Sequence, residues 1–369
     1  MATRIFFFLV LNLLISKCER TGKLFNVFNI VRFPNDPCTG EGNYGSCFTK
    51  DECASLGGRS IGSCASGFGV CCTFYGNCGD SSKINNTYFS STTSDTSLCS
   101  FEVCKSESDI CQIRLDFGKF TMTNPTTSSA LEDKPIGRTQ CLTSMFWVTS
   151  DSGQSPTICG TNTGYHMIVG AREDCNRLNF MWTDSTTRAW DIRISQISCT
   201  ASWRPPADCL QWFTGTSNEI YSYNYAGGYH LANQDYTNCI RTEQGYCSIA
   251  YTAVSTTSFQ ISGQTPPTTA TAVVGPTCTL DFITIPQGDS CSSPDPTSTF
   301  ERFCGSLLAS ASGTTTGSVC QSKSPFMIGV KFDGTEVDAY PAPSCSAPSP
   351  ACTTEFSKGF YIYYTQTSC

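Results

Sequence analysis

The residues of this chain best suited to covalent chemistry are its 25 cysteines among 369 residues. Thiols at this density persist as disulfides in an oxidising compartment, whereas cytosolic conditions keep them reduced and reactive. The sequence contains no Cys-x-x-Cys pair, the spacing of many zinc and redox sites. The cysteines therefore predict a crosslinked, secreted protein rather than a metal or redox centre.

Motifs that could carry catalysis are few. Gly40–Gly45 fits the GxGxxG spacing of dinucleotide sites, but it lies between two cysteines and is interpreted as a turn. Asp151-Ser152-Gly153 is faintly similar to the surroundings of a protease nucleophile, yet a triad needs a positioned histidine base. The two histidines, His166 and His230, stand in no such context. We therefore expect no enzymatic activity, no catalytic residue and no organic cofactor.

Composition and charge favour an all-β chain. Only 14% of the residues are charged, and the formal net charge is −7. Thr, Tyr, Phe and Ile are abundant while strong helix formers are scarce, which favours strands. Because the chain is acidic and has no Lys/Arg cluster, we expect neither nucleic acid nor an anionic membrane as a partner.

The amino terminus predicts secretion independently. Arg4 precedes the apolar run Ile5–Ile15, and small residues at Ser16 and Cys18 allow cleavage before Glu19, so residues 1–18 are interpreted as a signal peptide. The run is too short to span a bilayer, and no later segment approaches that length, so no membrane insertion is expected. Residues 19–37 form an apolar N-terminal segment, which could add a strand to a later domain or stay exposed as a self-association edge.

A compact cysteine cluster follows at residues 38–72. It holds six cysteines and many glycines but few large apolar residues, so a stable fold here needs crosslinks in place of a core. Six cysteines permit fifteen pairings, and spacing alone does not choose among them.

Two later parts of the chain share one pattern. Trp190–Cys199 and Phe360–Cys369 both alternate apolar with other residues, and both end in Gln-x-Ser-Cys. Period-two alternation predicts in each a terminal strand with one buried face, held by its last cysteine. Earlier in each half, at Cys141 and at Cys278, a cysteine precedes a strand and is followed downstream by a Cys-Gly pair. The repeat predicts two antiparallel β-sandwiches.

These segments resemble known families. GSCFTKDEC and GSCASGFGVCC resemble the clip domain of arthropod serine proteases. Four segments together resemble a CUB domain: DICQIRLDFGKFTM, CLTSMFWVTS, ICGTNTGYHMIV and AWDIRISQISC. Five later segments resemble a second, more divergent CUB domain: CLQWFTG, HLANQDYTNCIR, CTLDFITIP, RFCG and GFYIYYTQTSC. The order is similar to that of arthropod secreted proteins with a clip-like knot ahead of CUB modules.

The resemblance implies a domain plan and part of the disulfide pairing. It implies a clip-like knot at 38–72, a first jelly-roll-like β-sandwich domain at 78–199 and a second at 209–369. A disulfide knot without clip function is the alternative for the first of these. The implied disulfides are Cys38–Cys71, Cys47–Cys64, Cys53–Cys72, Cys141–Cys159, Cys209–Cys239 and Cys278–Cys304. The other cysteines receive no partner at this stage.

Many CUB domains bind Ca²⁺ through loop carboxylates, one of which stands three residues after the third family cysteine. The first unit has Ser144 at that position, which makes Ca²⁺ doubtful there, since a hard cation needs carboxylates among its six to eight oxygen ligands. The second unit keeps an acid, Asp281, which is either a Ca²⁺ ligand or a solvated or turn-capping carboxylate.

Two surface features remain. Asn85-Asn86-Thr87 is the one N-glycosylation sequon, and the resemblance places Asn85 in an exposed loop of the first sandwich. A run of aromatic residues near the start of the second unit could supply large contacts with sugars or proteins, or could instead form a sandwich face. The members of this run are Trp212, Tyr221, Tyr223, Tyr225 and Tyr229.

Three functions are compatible with these features. The resemblance implies a secreted, non-catalytic protein that recognises an extracellular protein or glycan through its CUB-like domains. The clip-like knot instead favours a non-catalytic regulator of a serine-protease cascade, and the composition also allows a structural protein of matrix or cuticle. The sequence leaves the ligand and the oligomeric state undetermined.

Overall fold

Strands far outnumber helices among the described residues, in agreement with the all-β prediction. The computed structural model describes residues 35–91, 97–125, 139–150, 153–171, 175–261, 272–291, 299–314, 317–334 and 358–369. The expected signal peptide and the apolar N-terminal stretch Leu24–Phe33 lie outside these residues. All of the described residues belong to one compact unit, Asn35–Cys369.

The N-terminal knot has a small sheet and one helical turn. Its elements are β1 (Pro37–Gly40), β2 (Asn43–Phe48), α1 (Lys50–Ser55), β3 (Arg59–Cys64), a 3-10 turn (Ala65–Gly67) and β4 (Gly69–Gly76). The GxGxxG stretch forms the turn between β1 and β2, where Glu41 and Gly42 both have positive φ, as such hairpin turns require. Thr49 begins α1 with a capping box, because its hydroxyl accepts from the Glu52 N–H while Glu52 accepts from the Thr49 N–H.

Disulfides replace a large core in the knot. The buried cluster consists of little more than Phe48, Phe74 and the bond between Cys53 and Cys72. The other two bonds join Cys38 to Cys71 and Cys47 to Cys64, so all three are the pairs that the resemblance implied.

The first β-sandwich packs two sheets over an aromatic core. Its strands are β5 (Ser81–Ser82), β6 (Thr87–Ser90), β7 (Leu98–Val103), β8 (Ile110–Thr121), β9 (Ser144–Ser150), β10 (Gly153–Gln154), β11 (His166–Gly170), β12 (Asn176–Trp182) and β13 (Ala189–Ser198). One sheet has the order β6-β13-β8-β11 and the other β10-β9-β12-β7-β5. Between them, Phe180 stacks on Trp190 with ring centroids 3.9 Å apart.

The second β-sandwich repeats this plan. Its strands are β14 (Gln211–Phe213), β15 (Ser217–Tyr221), β16 (Gln234–Ile240), β17 (Tyr246–Ala253), β18 (Phe259–Gln260), β19 (Ala272–Val274), β20 (Phe282–Gly288), β21 (Phe300–Gly305), β22 (Val319–Gln321), β23 (Phe326–Phe332) and β24 (Gly359–Ser368). Two 3-10 turns, Tyr225–Gly227 and Gly275–Thr277, interrupt them. The sheet β14-β16-β23-β20-β21-β19 faces the sheet β15-β24-β17-β22, with β18 paired to β24.

The repeated Gln-x-Ser-Cys motif closes each sandwich in the same way. In the first, the side-chain amide of Gln196 donates to two backbone carbonyls and its oxygen accepts the Ser106 N–H. In the second, Gln366 makes the same three kinds of bond, accepting from the Glu243 N–H. Both glutamines are buried, so their backbone partners would otherwise be desolvated without a hydrogen bond.

The disulfides of the described cysteines close within each sandwich. The first sandwich holds Cys78–Cys99, Cys104–Cys175, Cys111–Cys199 and Cys141–Cys159, and the second Cys209–Cys239, Cys247–Cys369, Cys278–Cys304 and Cys291–Cys320. The three pairs implied by the resemblance are among them. The last cysteine of each repeat pairs with an earlier strand, so both predicted terminal strands are held as expected.

Backbone pairing joins all three parts. The knot strand β4 pairs in parallel with β6, so the knot sheet continues into the first sandwich. At the opposite edge of that sheet, the Ile168 N–H donates to the Leu210 carbonyl at 2.7 Å, which links β11 to the chain entering the second sandwich. The buried apolar residues of both sandwiches form one continuous cluster. The continuous core makes the junction between the sandwiches resistant to bending.

Candidate functional site

A row of opposed residues crosses the first sandwich from the knot to the junction. Strand register sets Tyr75 beside Tyr88, Tyr88 beside Arg193, Arg193 beside Asp116, and Asp116 beside His166. Directly opposed residues point to the same face of a sheet, so the five side chains form one band. This band leads to the junction between the sandwiches.

Asp116 is the anionic centre of the band. Its carboxylate accepts from Arg114 Nε at 2.8 Å and from Arg193 Nη2 at 2.5 Å. Burial opposes ionisation, but the two guanidinium groups outweigh it and hold the pKa of Asp116 below its usual value. Arg193 also lies 3.9 Å from the ring centroid of Tyr44, a knot residue, and so ties the knot to this sheet.

His166 is a structural acceptor at the junction. Its Nε2 accepts the backbone N–H of Trp212 at 2.8 Å, and its carbonyl accepts from the Tyr223 hydroxyl at 2.8 Å. Burial, reinforced by the nearby Arg114 charge, lowers the pKa of His166 to about 3. The imidazole is therefore neutral at physiological pH, and its available lone pair is used by the backbone.

A pair of buried asparagines clamps the other side of the junction. Asn224 accepts the Thr161 N–H at 2.8 Å, and its own N–H donates to Asn162 Oδ1 at 2.7 Å. Asn224 has φ +61°, a conformation that asparagine tolerates better than most residues. Gly160 lies so close that a Cβ there would stand 1.9 Å from Asn224 Oδ1. The close approach of the two sandwiches thus depends on glycine at this position.

Beside these contacts, the two sandwiches enclose a cleft of about 530 Å³. Its aromatic lining combines Trp203, which is 54% exposed, with half-buried rings from both sandwiches. Those rings are Tyr165, Trp212, Phe213 and Tyr221. The volume falls within the range of about 300–1,000 Å³ that is typical of small-molecule sites. We refer to this space as the junction cleft.

Polar groups line the rest of the junction cleft. The buried side chain of Gln211 and the exposed side chain of Asn218 stand among three charged residues, Arg114, Arg241 and Glu219. Arg241 is paired with Glu243, and Glu219 accepts from the hydroxyls of Tyr221 and Tyr361. These hydrogen bonds lower the pKa of Glu219, which is therefore ionised at neutral pH.

The structure divides the aromatic residues singled out from the sequence. Trp212 and Tyr221 line the junction cleft, and their role as contact residues stays a prediction. Tyr223 does not fit that prediction, because it is 1% exposed and forms part of the contact between the sandwiches. Tyr225 and Tyr229 are half-buried outside the cleft lining, and Tyr225 packs under the Lys358 ammonium at 4.5 Å.

The predicted glycosylation residue lies in a different environment from the one expected. Asn85 occupies a turn before β6, but it is half-buried rather than exposed. Its side-chain oxygen accepts the Gln196 N–H at 2.9 Å, and its carbonyl accepts from Ser46 of the knot at 2.9 Å. The expectation of an exposed loop was wrong, because the knot packs against this turn.

The predicted metal residue Asp281 is a buried backbone acceptor. It is 3% exposed, and its Oδ1 accepts the Asp333 N–H at 2.7 Å. Among the described residues, no three His, Cys, Asp or Glu side chains gather into a potential metal site. The described geometry therefore favours the capping interpretation of Asp281 over the solvated one.

In the first sandwich, the loop after β12 contains an ion pair between an arginine and an aspartate. Arg188 forms an ion pair with Asp184, and both side chains are largely buried. Burial would raise the pKa of Asp184, but hydrogen bonds from Thr186 and Thr123 and the Arg188 charge lower it to about 2. The loop is thus closed by a guanidinium group.

Sequence reasoning missed most of the junction cleft. Arg114 stood in the polar phase of an alternating strand, and Arg241 followed a cysteine-containing strand, so neither position was distinctive. Trp203 was detectable, since a tryptophan between two predicted domains is an unusual linker residue. The residues that line the cleft with Trp203 are distant in sequence, and only the packing of the two sandwiches brings them together.

These features define a class of protein and permit comparison with known ones. Antiparallel sandwiches crosslinked by many disulfides are typical of extracellular modules. No helix in the described ranges is long and apolar enough to cross a membrane. Among curated proteins, none matches the chain.

Solved structures with similarity to the chain include multi-domain fragments with CUB domains. The CUB1-EGF-CUB2 domains of rat MASP-1 cover 79% of this chain and 99% of their own, at 11% identity and a TM-score of 0.24. The same region of human MASP-1/3 covers 75% and 96%, at 15% identity and 0.23. The full extracellular region of zebrafish Gpr126/Adgrg6 covers 80% and 33%, at 9% identity and 0.24.

The sequence match is specific to the second half. Residues 206–367 match the family model of the animal CUB domain. The chain therefore carries a CUB domain over its second sandwich, and it is a disulfide-rich extracellular protein. Domains of this family typically mediate protein binding.

Proposed function

We propose that this protein is a secreted, non-catalytic binding protein that recognises an extracellular protein or glycan through the junction cleft. The observation that carries the proposal is the cleft itself. It combines an exposed indole with charged and amide side chains, the usual composition of a recognition site. The continuous core holds the walls of the cleft in a fixed geometry, which lowers the entropic cost of binding.

The chemistry of the cleft supports binding more than catalysis. A general base needs a free lone pair and a pKa near the working pH. The pKa of His166 is lowered to about 3, and its Nε2 already accepts the Trp212 N–H. Glu219, the carboxylate of the cleft, is engaged by two tyrosine hydroxyls.

Crosslinking capture with matched variants tests this function. The full mature chain is incubated in native extracellular fluid, crosslinked and recovered, beside Trp203→Ala and Phe68→Ala. Phe68 is an exposed aromatic residue of the knot, 69% exposed, so its variant controls for loss of any exposed ring. We expect the wild type and Phe68→Ala to capture the same partner and Trp203→Ala to lose most of it. Equal capture by all three proteins would contradict recognition through the cleft.

A second function, regulation of a serine-protease cascade through the clip-like knot, is favoured by one observation. The knot exposes two large apolar side chains, Phe68 at 69% and Leu56 at 51%, although its own core is small. Exposed apolar groups on a rigid module are often contact residues. On this alternative, the added protein alters protease activation in plasma, and Phe68→Ala abolishes that effect while Trp203→Ala retains it. Point variants are the proper test, because deletion of residues 38–72 would also remove part of β4, which pairs with β6.

A further inference from the structure

We infer that the junction cleft is a binding site for an uncharged oligosaccharide, with the Trp203 indole as the stacking surface for a sugar ring. This inference rests on the proposed function and narrows its ligand to one chemical class.

The apolar requirement of a sugar site is met by Trp203. One face of a pyranose ring is lined by C–H groups, and it packs on aromatic rings whose faces carry partial negative charge. Trp203 is the only tryptophan of the described chain with more than half of its surface exposed. It lies in a turn that the Arg204 N–H closes onto the Ala201 carbonyl, and it precedes Pro205 and Pro206, which restrict the backbone on its C-terminal side. A large exposed ring on a constrained backbone can stack with little loss of conformational entropy.

The polar requirement is met by neighbouring donors and acceptors with unused capacity. Gln211 is 2% exposed, and its Oε1 accepts no hydrogen bond from the described residues. Within the same residues, Arg114 donates to Asp116 through Nε alone, which leaves its two Nη groups available. The Asn218 amide nitrogen likewise has no acceptor there. Sugar hydroxyls both donate and accept, so one ring can satisfy groups of both kinds.

The charge of the cleft favours an uncharged ligand. Arg241 forms two hydrogen bonds with the carboxylate of Glu243, which neutralises its charge. The positive charge of Arg114 is balanced by the negative charge of Glu219, which also lines the cleft. A highly anionic glycan would therefore meet an ionised carboxylate inside the cleft, at a cost in like-charge repulsion. Hydroxyl groups can bind beside either charge.

The backbone of the junction obstructs one route by which an extended peptide could bind. Peptides commonly bind by adding a strand to a free sheet edge. The edge strand β11 is already joined to the incoming chain, through the bonds from Ile168 N–H to Leu210 and from Trp212 N–H to His166. Strand addition at β11 is thus obstructed, whereas a sugar needs no free strand edge.

Tryptophan fluorescence and calorimetric titration of the full mature chain test the inference. The probes are triacetylchitotriose, mannotriose and laminaritriose, with a heparin hexasaccharide as the anionic comparison. We expect saturable binding of at least one neutral trisaccharide and weaker binding of heparin. Trp203→Ala should weaken the neutral ligand about tenfold or more, Trp203→Phe should restore part of the affinity, and Phe68→Ala should leave it unchanged.

Several results would overturn the inference. These are the failure of all three neutral sugars to bind, binding of heparin alone, and equal affinity in Trp203→Ala and Phe68→Ala. If none of the sugars binds but partner capture still depends on Trp203, the cleft recognises a peptide surface; the inference is then wrong and the proposed function stands. If capture does not depend on Trp203, the proposed function itself fails.

Discussion

Acidification should loosen the junction through a single histidine, His166. In the folded protein the pKa of His166 is about 3, whereas an exposed histidine in the unfolded chain has a pKa of about 6.5. The depressed value means that the neutral form is the one the fold requires. Its contribution to stability is complete above about pH 6.5 and declines as the pH falls from there toward about 3.

The size of the effect follows from the shift. Each pH unit inside this window removes about 1.4 kcal/mol, so the fall from pH 7 to pH 4.5 removes about 2.5 kcal/mol of unfolding free energy. Most carboxylates of an unfolded chain titrate near or below pH 4.5, so this interval reports mainly on histidine. Protonation would also turn Nε2 from an acceptor into a donor that faces the Trp212 N–H.

Denaturant unfolding with intact disulfides, at pH 7 and pH 4.5, measures this loss. The matched variant is His166→Gln, since a glutamine carboxamide oxygen can take the place of Nε2 as acceptor without titrating. We expect the variant to lose about 2.5 kcal/mol less than the wild type between the two pH values. If wild type and variant lose the same amount, His166 does not carry the pH dependence and the assigned role is refuted.

Two further predictions concern the junction and the loop after β12. Gly160→Ala should lower the free energy of unfolding by about 3 kcal/mol, because its Cβ would meet Asn224 Oδ1 at 1.9 Å. The control Gly42→Ala is also at positive φ but has no neighbour within 4 Å, so it should lower that free energy by only about 1 kcal/mol. Equal losses in the two variants would contradict the close approach of the sandwiches at Gly160. Arg188→Met should lower the free energy of unfolding by about 2 kcal/mol, because it removes the partner of a largely buried carboxylate. It should also raise the pKa of Asp184 above the wild-type value of about 2, as measured by NMR titration. An unchanged pKa would exclude Arg188 as the partner of Asp184.

The strands were predictable because their signal is local. In β8 and β23, side chains alternate between the core and the outer face, so adjacent letters of the sequence already report which face is buried. The repeated Gln-x-Ser-Cys ending of the two terminal strands could also be recognised from the sequence. Its physical reason, three backbone hydrogen bonds to one buried amide, became apparent only in the structure.

The half-buried state of Asn85 shows where local reasoning ends. A sequon in a turn is ordinarily exposed, and nothing in Asn85-Asn86-Thr87 indicates otherwise. The turn is covered because Ser46 and Gly45 of the knot bond to it from about 40 residues away in sequence. Tyr223 was misplaced for the same kind of reason, since the surface that buries it belongs to the other sandwich.

The sequence by itself determined the crosslinked, all-β character of this protein and the repetition of one strand pattern, because cysteine content, composition and period-two alternation act within short stretches of chain. Tertiary structure alone decided that Arg114, Trp203, Gln211 and Arg241 share one cleft. Each of these residues satisfies its local pattern equally well with or without the others. Their meeting depends on the fit of two sandwiches at Gly160 and Asn224 and on a neutral His166, which are contacts between distant segments that no local pattern encodes.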